Sequence, residues 1–247
     1  PGHRVCTVPA HPVIERHGCL WLTTVPVPRF GLEELDDQQF VPAGAFATRV
    51  EAPLVLAVDN FMEDEHFPYL HRFFGWSEDG AADVEYAVEL GTDQITTRYR
   101  GPQRWNAVLA SLGIRRGDHV ENEFRTRFDP IRSSYTMRWF DPASDTVRPF
   151  RSRTVVFFVP ETEATTLLHT FLLMTLSTPL LRATRPLALQ VGAAIARREI
   201  RADARFLRHL GDTDPSLRGM RLGPEDRGVV HARRLIDEVY HRRGTIR

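Results

Sequence analysis

Two histidines that follow a run of acidic side chains are the residues best placed to do chemistry. His66 and His71 lie in residues 59–71, whose sequence is DNFMEDEHFPYLH. On a regular helix, positions i and i+4 share a face, whereas i+5 is rotated off it. If both imidazoles bind one metal ion, the predicted helix over 59–71 must be distorted, and Pro68 can supply that distortion. The alternative is a histidine pair that lies on the surface or is hydrogen-bonded in the core.

Asp203 is the candidate for a third metal ligand. It falls on an apolar stripe at helical spacing, formed by Ile200, Leu207 and Leu210. A carboxylate on a buried stripe needs a partner, because an unpaired buried charge is costly. A metal ion would satisfy it; the alternative is a salt bridge to Arg198 or Arg201. Glu199 is the substitute ligand if Asp203 does not serve.

Composition excludes several classes of function. The 247 residues carry 32 basic and 32 acidic side chains, so no nucleic-acid or anionic-membrane partner is indicated. Every basic residue is Arg, as is typical of a GC-rich bacterial genome, and chemistry that needs Lys is excluded. Two cysteines, Cys6 and Cys19, make no disulfide framework and fit a reducing cytoplasm. We find no signal peptide and no apolar run near the length of a membrane span, and therefore expect a cytoplasmic protein.

The elements that must position these residues follow from the hydrophobic pattern. A strand is predicted over 19–25, ended by Pro26 and Pro28, and then an acidic surface connector over 29–45. A strand over 51–58 leads into the helix over 59–71. Three hairpins pair 83–90 with 94–99, 120–128 with 133–140, and 151–159 with 165–177. Helices are predicted over 180–210 and 226–241. The predicted strands come first along the chain and the long helices follow. This order indicates an α+β fold, in which an antiparallel sheet wraps around one or more helices.

Several residues of the late strands are given structural roles. His169 lies in a strongly apolar strand, and we expect a hydrogen-bonded core residue there rather than a cavity residue. Core packing is also the expectation for four apolar residues that could otherwise line a pocket, namely Phe157, Phe158, Phe171 and Met174.

The segment around the histidine pair resembles the iron-binding motif of the catalytic domain of Rieske-type, non-haem iron, aromatic-ring-hydroxylating oxygenases (their alpha subunit). The motif positions are occupied by Asn60, Phe61, Glu63, His66 and His71, and the apolar turn 73–75 agrees with it. The resemblance implies Fe(II) held by His66, His71 and a carboxylate of the C-terminal helix, for which Asp203 is the candidate. It also implies that Asn60 lies near the iron. The family usually has Asp where this chain has Glu63, and that acid is thought to pass electrons between subunits.

The N-terminal residues 7–22 resemble the segment that follows the cluster-binding residues of a Rieske module. The cluster-binding patterns Cys-x-His and Cys-x-x-His are absent from this chain. We therefore expect the front of a longer protein to be missing, with residues 1–45 as the tail of a Rieske module plus linker and 46–247 as the catalytic domain. The alternative is a separate N-terminal metal site, but the spacings match no zinc pattern. Its candidate ligands are His3, Cys6, His11, His17 and Cys19.

The resemblance further implies a helix-grip (START-like) fold, an antiparallel sheet wrapped around a long C-terminal helix. Such enzymes use iron and dioxygen to hydroxylate, dihydroxylate or O-demethylate an aromatic or other apolar organic substrate. Electrons would come from a [2Fe-2S] cluster of the missing module or a partner, and ultimately from NADH or NADPH through a reductase or ferredoxin. A homotrimer is expected. The resemblance leans toward aromatic acids or their methyl ethers as substrates.

Two other functions stay open. A START-like domain could hold an apolar ligand without catalysis, although such a module has no reason to bring His66, His71 and Asp203 together. A zinc hydrolase could use the same three residues, but the chain has no His-Glu-x-x-His arrangement to support it.

Overall fold

A seven-stranded antiparallel sheet dominates the computed structural model, which describes residues 10–23, 32–63, 65–214, 216–223 and 226–242. A separate hairpin precedes it, formed by β1 (Val13–Arg16) and β2 (Cys19–Leu22). The sheet strands are β3 (Val41–Val50), β4 (Glu85–Leu90), β5 (Gln94–Pro102), β6 (His119–Phe128), β7 (Ile131–Asp141), β8 (Thr146–Thr162) and β9 (Thr165–Met174). Their order is β3-β9-β8-β7-β6-β5-β4, so the three predicted hairpins are confirmed as neighbouring pairs.

One long helix lies on the inner face of this sheet. The helices are α1 (Leu54–Asn60), α2 (Phe67–Leu70), α3 (Ala107–Ser111), α4 (Pro179–Ala183), α5 (Arg185–Arg208) and α6 (Arg227–Ile236), with a 3₁₀ helix at Glu78–Asp83 and a π-helical turn at Asp237–Arg242. With 24 residues, α5 is about 36 Å long at 1.5 Å per residue. It packs against β3 and β9, which confirms the predicted α+β fold of a sheet wrapped around a long C-terminal helix.

The strands separate apolar from charged side chains between the two faces of the sheet. In β6 every second residue is buried, among them Val120, Asn122 and Phe124. The intervening charges pair across strands on the other face, as Arg98 does with Glu123 at 2.8 Å. This alternation is expected for a sheet with one buried face, and it keeps charge away from α5.

The predicted surface connector over 29–45 is wrong for the residues that the structure describes. Residues 41–45 belong to β3. Before it, Leu32, Leu35 and Phe40 are buried against the outer face of the sheet. The acidic residues that made this segment look solvated are paired instead, since buried Glu34 lies 3.2 Å from Arg132.

The predicted strand over 51–58 is also wrong. Residues 54–60 form α1, which begins after Pro53 and buries Ala57 and Val58. Proline is tolerated at a helix start because no backbone donor is needed there, and burial of the apolar face outweighs the weak helix propensity of valine. Among the helices that the structure describes, none has the length and apolar character needed to cross a membrane. His3, Cys6, Pro26 and Pro28 lie outside the described residues.

Candidate metal centre

The two histidines flank a single short turn of helix. α1 ends at Asn60, and α2 covers only Phe67–Leu70, with His66 before it and His71 after it. The backbone is extended at His71, with φ −93° and ψ 135°. Pro68 lies in the first turn of α2, where it begins a new helix. The prediction that Pro68 distorts one continuous helix over 59–71 is therefore wrong. Because the chain turns at both ends of α2, five-residue spacing still brings both rings to one point.

Arg104 holds the segment around α2 in place through hydrogen bonds. This residue was not identified from the sequence, because no sequence pattern distinguishes it from the other arginines of the chain. Its guanidinium donates hydrogen bonds to the carbonyl oxygens of His71 at 2.7 Å, Pro68 at 2.8 Å and Trp76 at 2.8 Å. Gly75 closes the segment with φ +81°, and a Cβ there would lie 2.6 Å from Cδ2 of Phe67. Only glycine fits both the backbone conformation and the close approach.

Three predicted ligands converge on one point. Nε2 of His66 lies 3.1 Å from Nε2 of His71, and Oδ1 of Asp203 lies 3.4 Å and 3.3 Å from these two atoms. Asp203 projects from α5 and is buried, as is His71. Among the residues that the structure describes, these three form the one group suited to hold a metal ion. The alternative ion pairs of Asp203 with Arg198 or Arg201 are not formed.

The triangle has dimensions that suit a metal ion. With metal–ligand bonds of about 2.1 Å, two ligand atoms at a right angle are about 3.0 Å apart, and at a tetrahedral angle about 3.4 Å. The buried Oδ1 of Asp203 faces both rings yet has no well-formed hydrogen bond. Two imidazoles and one carboxylate are also the donor set of facial-triad Fe(II) sites. The residues present therefore fit a mononuclear iron.

Two further carboxylates lie behind the rings. Oε1 of Glu63 is 2.7 Å from Nδ1 of His66. Oε2 of Glu199 is 2.8 Å from Nδ1 of His71, in an ion-pair contact without a well-directed hydrogen bond. Each carboxylate favours the tautomer that carries its proton on Nδ1, which leaves the Nε2 lone pair for a metal. Glu199 thus stands behind a ring rather than at the ligand triangle.

The charges of the two histidines and of Asp203 shift one another's pKa values. Burial lowers the pKa of His66, but its contacts with Asp203 and Glu63 outweigh burial and raise it to about 10. Burial likewise lowers the pKa of His71, whereas Asp203 and Glu199 raise it to about 9. Burial raises the pKa of Asp203, and the two imidazoles outweigh it and hold that pKa below its usual value. Without a metal, protons on the rings balance the buried carboxylates.

An apolar cavity of about 360 Å³ opens from the triangle and runs between α5 and the inner face of the sheet. Asn60 lines the cavity; its side chain is buried, and neither Oδ1 nor Nδ2 has a hydrogen-bond partner. A buried amide of this kind is available to a ligand. Tyr135, which also lines the cavity, donates a hydrogen bond to the carbonyl oxygen of Phe61 at 2.7 Å.

The late-strand residues divide between the two faces. Met174 is a buried core residue, as predicted, and it also lines the cavity. Phe157 and Phe171 pack on the outer face, and Phe158 packs in the core between α1 and the sheet, as predicted for core residues. His169 lies two residues from Phe171 on the same strand, so it faces outward and does not line the cavity.

The comparisons with known proteins agree with this geometry. The family model described as the vanillate O-demethylase oxygenase C-terminal domain matches residues 50–242. No curated protein sequence gives a significant match. Among solved structures, dicamba monooxygenase bound to 3,6-dichlorosalicylic acid matches with TM-score 0.72 and 18% identity, over 95% of this chain and 71% of that chain. Dicamba monooxygenase with non-heme iron and dicamba matches with TM-score 0.54 and 18% identity, over 95% and 69%. Pseudomonas putida CBB5 NdmA with caffeine matches with TM-score 0.62 and 11% identity, over 97% and 67%. At these identities the solved structures establish the fold alone.

Proposed function

The chain belongs to the family of the vanillate O-demethylase oxygenase C-terminal domain, the catalytic domain of Rieske-type oxygenases, and on this premise we propose that it is an iron-dependent oxygenase. His66, His71 and Asp203 hold one Fe(II). With dioxygen, the enzyme hydroxylates, dihydroxylates or O-demethylates an apolar organic substrate that occupies the cavity.

One observation carries this proposal. Three ligand atoms of the facial-triad type lie 3.1 to 3.4 Å apart, and the carboxylate oxygen among them has no well-formed hydrogen bond. They lie at the end of an apolar cavity of about 360 Å³. A pure binding module has no need to bring two histidines and a buried carboxylate to one point, and burying that carboxylate is costly. Iron supplies open coordination positions at which dioxygen can be activated beside a substrate.

The residues of the chain orient the ligands and shield the reacting centre. Glu63 accepts the Nδ1 proton of His66, and the carboxylate of Glu199 lies 2.8 Å from Nδ1 of His71, so both favour the ring orientations that leave Nε2 for the metal. The apolar cavity walls exclude water, which limits side reactions. The amide of Asn60, buried in the cavity wall, can donate or accept a hydrogen bond to a group bound there.

The electron supply and the assembly are part of the same proposal. The sequence predicted residues 1–45 as the tail of a Rieske module plus linker and 46–247 as the catalytic domain; because residues 41–45 belong to β3, we place the start of the catalytic domain at Val41. A [2Fe-2S] cluster outside this segment delivers electrons that originate from NADH or NADPH through a reductase or ferredoxin. In a homotrimer, Glu63 lies on the route between a neighbour's cluster and the iron, because it contacts the ligand His66 and its side chain is partly exposed.

Metal stoichiometry tests the proposal. Under anaerobic conditions we expect the purified chain to bind one Fe(II), and we expect His71→Ala and Asp203→Ala to abolish binding. His169→Ala is the matched control, because it removes an imidazole from the outer face of the sheet. Circular dichroism verifies that each variant is folded. If the wild type binds no iron, or if both site variants retain it, the proposed site is wrong.

A further inference from the structure

Apart from the two ligand histidines, the ionisable residues that line the cavity are all acidic. Its acidic lining residues are Glu63, Glu199 and Asp203. Among the lining residues that the structure describes, only His66 and His71 can carry positive charge, and both are committed to the ligand triangle. No arginine lines the cavity, and the chain contains no lysine.

Of the arginines next to lining residues, three have hydrogen-bond or ion-pair partners outside the cavity. Arg104 donates to three carbonyl oxygens around α2. Arg233 is paired with Asp59, the residue before Asn60. Arg182, beside the cavity mouth, donates to the carbonyl oxygens of Leu176 at 3.0 Å and Ser177 at 3.3 Å. No arginine is among the lining residues, so the described wall offers no guanidinium to pair with an anionic ligand.

Neutral hydrogen-bonding groups occupy the sheet wall instead. Asn122 on β6 and Ser152 and Thr154 on β8 line the cavity, whereas Arg151 and Arg153, which alternate with the latter two on β8, point to the other face. Arg153 pairs there with Asp37 at 2.9 Å. The period-two alternation of β-strands thus puts every charge of this wall outside.

The mouth of the cavity is apolar as well. Leu180, Leu187 and Val191 line it from α4 and α5, and they are 59%, 62% and 43% exposed. Exposed apolar residues that are continuous with a pocket are typical of a route for an apolar ligand. With about 360 Å³, the cavity is near the lower end of the range of small-molecule sites, about 300–1,000 Å³.

We propose that the cavity selects a neutral, compact substrate such as a single-ring aromatic ether or phenol, and that it discriminates against aromatic acids. A carboxylate placed against the sheet wall would lose its hydration without gaining a cationic partner there. Neutral groups such as those of Asn60, Ser152 and Thr154 suffice to orient a neutral ring. This departs from the substrate class suggested by the sequence, which leaned toward aromatic acids or their methyl ethers. It rests on the proposed function in taking the cavity as the substrate site.

A matched ligand pair tests this. Guaiacol is vanillate without its carboxylate, so the two compounds differ in the charged group alone. We expect calorimetric titration at neutral pH to give a Kd for guaiacol at least tenfold lower than that for vanillate, about 1.4 kcal/mol. Equal affinities, tighter binding of vanillate, or no binding of guaiacol would overturn the inference. Each titration is run on the metal-free chain and on the chain loaded with Zn(II). Failure of the metal site then shows as absent metal binding, independently of which ligand is preferred.

A charge added to the wall tests the cause. Ser152→Arg should lower the Kd for vanillate at least tenfold relative to Ser152→Met, which has a long side chain without the charge. Thr154→Arg and Thr154→Met repeat the comparison at the next inward position if the first pair does not fold. Unchanged vanillate binding in the folded Arg variants would mean that missing positive charge is not what excludes the acid.

Discussion

The carboxylate behind His66 should determine how tightly the site binds metal. Oε1 of Glu63 lies 2.7 Å from Nδ1 of His66, so it holds the ring with Nε2 directed at Asp203. Glu63→Ala removes this contact without touching a proposed ligand. Glu63→Gln keeps an acceptor for the Nδ1 proton but removes the negative charge. The two variants therefore separate ring orientation from charge.

The expected magnitude follows from the contact. A hydrogen bond to a charged group contributes about 1.5–3 kcal/mol, which is about 10–100-fold in affinity at about 1.4 kcal/mol per factor of ten. The side chain of Glu63 is 31% exposed, so solvent screening places the effect near the lower end. We expect Glu63→Ala to weaken metal binding about tenfold or somewhat more, within the range for outer carboxylates of metal sites. Glu63→Gln should lose less, because the ring stays oriented.

Competition against a chelator of known affinity measures these constants, with Fe(II) under anaerobic conditions or with Zn(II). Glu65→Gln is the control, since it removes the same charge two residues away from an exposed side chain. If Glu63→Ala binds metal within about twofold of the wild type, the contact does not orient the ligand and the reasoning is refuted. A loss that is equal in Glu65→Gln would point to general electrostatics.

Two further predictions concern protons and packing. Because the pKa of His66 is raised to about 10 and that of His71 to about 9 in the metal-free chain, metal must displace protons. Apparent metal affinity should therefore rise with pH up to about 10, with proton release detectable by calorimetry in buffers of different ionisation enthalpy. In the same metal-free chain, the two protonated histidines contribute stability that is fully present below pH about 6.5, the pKa of an unfolded histidine. This contribution is lost as the pH rises through about 9 to 10, so the Tm should fall over that range. Gly192→Ala should raise the unfolding free energy by up to about 1 kcal/mol, because alanine has the higher helix propensity. Crowding reduces this gain, since the new Cβ would lie 3.2 Å from Sδ of Met174.

Each of these has a matched comparison. For the pH series, Asp203→Asn removes the carboxylate shared by both rings, so the alkaline fall in Tm should shrink. An unchanged fall would show that other groups cause it. For the packing variant, Ala194→Gly makes the opposite change at an exposed position of the same helix and should cost about 1 kcal/mol in urea denaturation. A loss of stability in Gly192→Ala would mean that Met174 cannot yield.

The sheet was predictable because its signals are local. Alternation in strands such as β6 and the turn residues between paired strands predict hairpins without knowledge of distant contacts. Residues 32–45 and 51–58 were predicted wrongly because tertiary contacts override local preference there. Acidic residues such as Glu34 read as solvated until Arg132, far along the chain, is placed beside them.

The sequence by itself determined the chemical types at the site, since the His66–His71 spacing, the acid before it and the position of Asp203 on an apolar stripe are all local patterns. Only the tertiary structure decided that these groups meet. In the structure, α1 and α2 take the place of the single predicted helix, and Asp203 on α5 lies within contact distance of the rings of His66 and His71. It also set Glu199 behind His71 and left the inner wall of the cavity without a cation. The physical reason is that side-chain direction across a sheet and between helices depends on packing partners more than a hundred residues away, which local periodicity does not encode.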